Sequence, residues 1–178
     1  LKDLAEARIF FALWPDATTA RAIAAAAREL CADGKPVARE RLHLTLAFHG
    51  RIDAAATAEL RRRARAVHLP AFNLQLERVG YFARPRILWL GPTHVPVPLQ
   101  QLAALLAPTD RAAGSASHFQ PHVSLARHAA PPAAGRFVAP IAWPVREFML
   151  VESGAAGVAG AYACRGRWPL GQACPSMK

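Results

Sequence analysis

The stretch Leu42-His-Leu-Thr-Leu-Ala-Phe48, closed by Gly50, has a near copy in His122-Val-Ser-Leu-Ala-Arg127. Both begin with histidine, aliphatic, hydroxyl, leucine, alanine. Each reads as a short strand, and alternate residues of a strand share a face. His43 and Thr45 then point one way, while Leu44 and Leu46 enter a core. In the second copy His122 and Ser124 point together, opposite Val123 and Leu125. Two such strands facing each other line a cleft with two imidazoles and two hydroxyls. Core packing requires no such set, so the repeat is read as chemistry.

Outward from the first copy, Arg8-Ile-Phe-Phe-Ala-Leu-Trp14 reads as a buried strand ended by Pro15. Asp16 or Thr18 can cap a helix running through the alanine-rich stretch to Leu30. Asp33-Gly34-Lys35-Pro36 is a turn signal. Asp53 caps a second helix, Ala54 to Val67, whose Arg61, Arg62, Arg63 and Arg65 make its surface basic. Phe72 to Glu77 alternates apolar and polar residues as a half-buried strand does. Further strands are expected at Ile87–Leu90, His122–Ala126, Val145–Val151 and Ala161–Trp168, with a third helix over Leu99–Leu106. Pro131-Pro132 breaks the chain, and the mobile loops are expected at Ala112–Ser117 and Gly154–Gly160. Short strands interleaved with three helices favour an α+β fold with antiparallel sheets over a doubly wound parallel one. No linker divides residues 1–178, so a single domain is expected.

The 178 residues carry a net charge of +10, almost all of it from arginine. A polyanionic partner is one explanation, because guanidinium groups meet phosphates bidentately. Compositional drift in an Ala-, Arg- and Pro-rich sequence is the other. No apolar stretch reaches membrane-spanning length, and no secretory signal follows the run Ile9–Trp14. A cytoplasmic protein without membrane contact is expected. Cys31, Cys164 and Cys174 have neither zinc-knuckle nor redox-pair spacing, and are read as reduced thiols.

Histidine changes protonation near neutral pH. In-line displacement at phosphorus needs a base for the incoming oxygen and an acid for the leaving one. His43 and His122 can supply both, and Thr45 and Ser124 can donate to non-bridging oxygens. Arg127 could neutralise the phosphate, but simple alternation turns it away from His122. The other histidines, His49, His68, His94, His118 and His128, carry no such pattern, although His49 has the parity of His43 and could reach the cleft rim. A zinc site would want three or four closely spaced ligands, and no metal is expected. Neither a Gly-x-Ser-x-Gly elbow nor a P-loop occurs.

At these residues the sequence resembles the two-histidine phosphoesterase superfamily, and within it the bacterial RNA 2′,3′-cyclic phosphodiesterases historically called 2′-5′ RNA ligases. The paired tetrapeptides are His43-Leu-Thr-Leu46 and His122-Val-Ser-Leu125. The resemblance extends to Arg8–Ala12, Arg86–Leu90, Phe119–Arg127, Glu147–Ser153, Tyr162 and Trp168–Leu170, in order. It implies a bilobal fold of two antiparallel sheets with flanking helices, related by pseudo-twofold symmetry, one motif per lobe. It implies hydrolysis of RNA 2′,3′-cyclic phosphate ends to 2′-phosphates, with no metal or other cofactor. His43 would be the general acid, His122 the general base, Thr45 and Ser124 the phosphate holders, Arg127 the clamp. Phe48 would stack on the terminal base, as aromatic side chains do in RNA sites, although its parity sets it opposite His43. His49 stands where the family has an aliphatic residue, and Ser124 where it has threonine. A monomer is expected. The same groups could act on small cyclic nucleotides or, by reversal, ligate 2′-5′ linkages. A non-catalytic RNA-binding module is the alternative of a different class.

Overall fold

Strand β1 (Ala7–Leu13) buries both of its faces, which is why its sequence is a continuous apolar run. Ile9, Phe11 and Leu13 enter the main core, while Phe10 and Ala12 enter a smaller cluster on the other face. The computed structural model describes residues 7–31, 34–109, 119–133, 135–154 and 161–171. The expected loop Ala112–Ser117, most of Gly154–Gly160, Asp33, His118 and Cys174 lie outside the described residues. Cys164 is an exposed free thiol.

The chain continues as α1 (Ala17–Leu30), β2 (Lys35–Pro36), a 3₁₀ turn (Arg39–Arg41), β3 (Leu44–Ile52), α2 (Ala54–Arg65), β4 (Phe72–Phe82), β5 (Ile87–Gly91) and α3 (Val97–Leu106). It closes with β6 (Val123–Arg127), β7 (Phe137–Val145), β8 (Glu147–Ser153) and β9 (Tyr162–Pro169). The Asp16 carboxylate caps α1 by accepting from the Thr18 and Thr19 amides at 2.8 and 2.9 Å. Asp53 caps α2 through the Ala56 amide. Both are the residue type that satisfies the orphan donors of a helix start. Ile23, Leu60, Leu99, Leu102 and Leu106 seat the three helices on the main core.

The sequence reading expects two antiparallel sheets. Hydrogen bonding instead joins nine strands into one antiparallel sheet, ordered β7-β4-β5-β6-β3-β1-β8-β9, with β2 added beside β6. Its two halves meet at a single register pair, Leu44 opposite Val123. The motif strands are therefore central neighbours, with three strands outside each. The expected turn at Lys35-Pro36 is a short strand, because Lys35 pairs with Arg127 and Pro36 with Ala126. Strand β7 is unforeseen: Pro140 and Pro144 argue against a strand interior. It lies at the sheet edge, where a missing N–H breaks no ladder. No helix among the described residues is long and apolar enough to cross a membrane.

Candidate active site

Antiparallel pairing about Leu44 and Val123 sets His43 opposite Ser124 and Thr45 opposite His122. Leu44 and Val123 themselves are fully buried. The two imidazoles and two hydroxyls thus alternate across the seam of the sheet.

Each histidine is held in the same way. His43 Nδ1 lies 2.7 Å from the Arg41 carbonyl oxygen, and His122 Nδ1 lies 2.8 Å from that of Gln120. A carbonyl only accepts, so Nδ1 carries the hydrogen in both rings and Nε2 is left for other chemistry. The His43 ring stacks on Trp14 at 4.9 Å and 13°, with Tyr162 edge-on at 5.3 Å. The Trp14 indole N–H donates to the Glu40 carbonyl at 3.2 Å, tying that ring to the turn that carries Arg41. His122 rests edge-on against Phe82 at 4.9 Å, with Trp89 at 6.0 Å beneath. Trp89 fits because Gly80 has no side chain: a Cβ there would sit 1.9 Å from the indole.

Burial pushes the pKa of both imidazoles below the ordinary histidine value. At His43 the positive charges of His122, Arg41 and Arg127 push the same way, and the bond to the Arg41 carbonyl opposes them. At His122 the bond to Gln120 opposes burial.

Arg127 and Phe48 reach the cleft despite their parity. Pairing with β5 jumps from Leu88–Ala126 to Trp89–Ser124, so Leu125 is an extra residue in β6. Pairing with β1 jumps from Phe11–Ala47 to Ala12–Thr45, so Leu46 is the extra residue in β3. Each bulge buries two consecutive residues, Leu46-Ala47 and Leu125-Ala126, and returns the next one to the cleft face. The exposure pattern from Leu44 to Phe48 is repeated from Val123 to Arg127. Phe48 is 52% exposed, with Arg8 6.0 Å over its ring.

Three adjoining cavities, of about 530, 470 and 770 Å³, share Thr45 in their walls. The first holds His43, Ser124 and Arg127 together with Lys35 and Arg41. The second holds His43, Arg127 and Phe48. The third holds His122 and Phe48. His49 does not join them. A second irregularity in β3 lies at His49, and its Nε2 sits 3.0 Å from the Leu106 carbonyl oxygen at the end of α3. Among the described residues no group of three or more His, Cys, Asp or Glu side chains could hold a metal ion.

Sequence reasoning did not single out Arg41, Tyr162, Trp14 or Lys35 for the site. Arg41 has the parity of His43 and was open to the same argument. Trp14 follows β1, Lys35 lies on β2 and Tyr162 opens β9, and only the sheet order brings them in.

Residues 12–155 match the family model of the 2′-5′ RNA ligase superfamily. The chain belongs to this superfamily. It is 35% identical over 147 residues to the RNA 2′,3′-cyclic phosphodiesterase of Escherichia coli K12, covering 78% of this chain and 81% of that one. The Aeropyrum pernix RNA 2′,3′-cyclic phosphodiesterase is 29% identical over 99 residues, 52% of this chain and 56% of its own. Among solved structures of the superfamily, apo E. coli LigT superposes with a TM-score of 0.83 at 33% identity, covering 94% of this chain and 99% of its own. LigT complexed with 3′-AMP gives 0.78 at 33% identity with the same coverage.

Proposed function

We propose that the chain hydrolyses RNA 2′,3′-cyclic phosphate ends to 2′-phosphates without a metal. The carrying observation is the matched pair of imidazoles, each with Nδ1 fixed on a carbonyl, alternating with two hydroxyls across one seam. The activity named for the E. coli relative supports the choice of bond. His122 Nε2 takes a proton from water as its oxygen attacks phosphorus. The bond from phosphorus to the 3′ oxygen breaks, and His43 Nε2–H protonates that oxygen. The product is a 2′-phosphate beside a free 3′ hydroxyl. The proton then sits on His122 instead of His43, and exchange with solvent resets both.

Thr45 and Ser124 donate to the non-bridging oxygens, where charge grows in the transition state. Arg127 neutralises the phosphate, and Phe48 offers a face to the terminal base. The central strand pair, the repeated bulge and the repeated carbonyl bond support a pseudo-twofold axis through the seam of one domain, with one motif per lobe. The protein works as a monomer on this reading.

Chelator-treated protein is expected to convert a 2′,3′-cyclic nucleotide or RNA end to the 2′-phosphate alone, read by phosphorus NMR or chromatography. Accumulation of 3′-phosphate, or turnover only after metal is restored, would sink the proposal.

The pH dependence follows from the direction of the shifts. The competent enzyme has one imidazole protonated and the other neutral. Both pKa values in the free site lie below the usual 6.5. The bell of kcat/KM, which reports the free enzyme, therefore peaks below pH 6.5 and falls in proportion to proton concentration above it. A bound phosphate anion favours imidazolium, so the kcat bell lies at higher pH. A kcat/KM maximum at pH 8 would contradict this electrostatic picture.

A further inference from the structure

Lys35 and Arg127 are directly opposed on antiparallel strands β2 and β6. Opposed residues of such a pair project from the same face, and like charges there destabilise the pairing. The pairing is nonetheless anchored: the Val37 amide donates to the Leu125 carbonyl at 2.8 Å. Gly34, at φ +106°, lets the chain pass so close to the next turn that a Cβ would lie 2.9 Å from the Ala129 Cα. His128, at φ +55°, belongs to that turn. The backbone therefore brings Lys35 and His128 beside Arg127 on the wall of one cavity, which also takes in Arg41. Among the described residues no carboxylate lines it. Among the described residues the ion pairs join other arginines to glutamates, at Arg62–Glu59, Arg165–Glu152 and Arg167–Glu147. The Arg41 Nε is buried and lacks a hydrogen-bond partner. An anion between the cavity-lining groups would relieve the repulsion.

We propose that this Lys35 end of the cleft is a second phosphate subsite, which takes the phosphodiester one nucleotide upstream of the reacting cyclic phosphate. The inference rests on the reaction proposed above. In a terminal ribonucleotide the base hangs from C1′ and the 5′ carbon from C4′, at opposite ends of the ribose. Phe48 lines the second and third cavities and is absent from the wall of this one. With the base on Phe48 and the cyclic phosphate at Thr45 and Ser124, the 5′ carbon points toward Lys35. A single nucleoside 2′,3′-cyclic phosphate has a hydroxyl there, and a longer RNA has a charged phosphodiester. The subsite thus makes the enzyme prefer RNA ends to cyclic mononucleotides.

The test compares kcat/KM for adenosine 2′,3′-cyclic phosphate with that for the ApA dinucleotide ending in a 2′,3′-cyclic phosphate. A third substrate replaces the internal phosphodiester by an uncharged methylphosphonate. Charged hydrogen bonds of this kind predict a preference for the charged dinucleotide of roughly 10- to 100-fold. The methylphosphonate is expected to lose most of it. In Lys35→Gln the ratio between dinucleotide and mononucleotide collapses toward one, and in Lys35→Arg it is retained, with circular dichroism checking that both variants fold. Equal kcat/KM for all three substrates in the wild type would overturn the subsite and leave the reaction standing. An undiminished ratio in Lys35→Gln would do the same. Absence of turnover on every substrate would overturn the reaction and the subsite together.

Discussion

His122→Ala is expected to lower kcat/KM on a 2′,3′-cyclic phosphate by about 10³-fold or more, and His43→Ala by a similar factor. Positioned acid–base groups each contribute roughly 10²–10⁴-fold. Among the described residues neither has a substitute nearby: His49 is committed to the end of α3, and no Asp or Glu lines the cavity that holds His43, Ser124 and Arg127. The two losses should not multiply. With either proton relay gone, the remaining imidazole has half a reaction to serve, so the double variant should be little worse than the poorer single one. The pH profiles separate the roles. Each single variant keeps one ionisation, so the bell becomes a single limb. Loss of the base leaves a dependence on a protonated group, and loss of the acid leaves a dependence on a neutral one. If His43→Ala lost the rising, acidic limb, the acid and base assignments would have to be exchanged. Full activity in either variant would remove paired-histidine catalysis altogether.

The ring contacts of the two histidines differ, and at His43 they act against the burial and the positive charges of His122, Arg41 and Arg127 that lower its pKa. His43 lies flat on Trp14 at 4.9 Å, and an aromatic face attracts a cation. That offsets part of the burial that pushes its pKa down, and suits the group that must begin the reaction protonated. His122 meets Phe82 edge-on, at 83°. Among the described residues no ring lies stacked flat on His122, so it has no counterpart of the Trp14 contact.

The strands nearest the site could be read because their patterns are local. Buried β1 shows itself as an apolar run, and Asp16 and Asp53 mark helix starts by the chemistry of the cap. The histidine–hydroxyl pairs were legible for the same reason, since two residues apart on a strand is a short and reliable distance. Strict alternation fails three residues further on. Nothing in Leu-Ala after a hydroxyl announces a bulge, because the extra residue is defined by the partner strand. Arg127 and Phe48 were therefore placed on the wrong face by parity, and the register with β5 and β1 turns both back. β7 was hidden by Pro140 and Pro144, which are tolerated only because that strand has an open side. Lys35, Trp14 and Tyr162 were out of reach for a simpler reason. Their place in the site depends on long-range strand order, and single-sequence periodicity carries no information about it.

Removing the hydroxyls should have the second largest effect. Thr45→Val keeps the branched shape that the strand favours and deletes one donor; Ser124→Ala deletes the other. Loss of one preorganised donor to a developing oxyanion costs about 10²–10³ in kcat, and each single variant is expected in that range. Thr45 lines all three cavities and sits across the seam from His122, which on the proposed mechanism turns it toward the attacking water and the phosphate. Ser124 sits across from His43, on the side the proposed mechanism gives to the leaving oxygen. Because charge on the non-bridging oxygens grows as the reaction proceeds, the loss should fall on kcat and leave KM almost unchanged. The double variant should lose less than the product of the singles, since both donors serve one phosphate and the survivor can shift toward it. Thr45→Ser and Ser124→Thr should recover most of the rate, separating the hydroxyl's role from packing. A Thr45→Val protein that raised KM at constant kcat would show instead that the hydroxyl binds ground state and transition state alike. The rate would then come from the histidines and Arg127 alone.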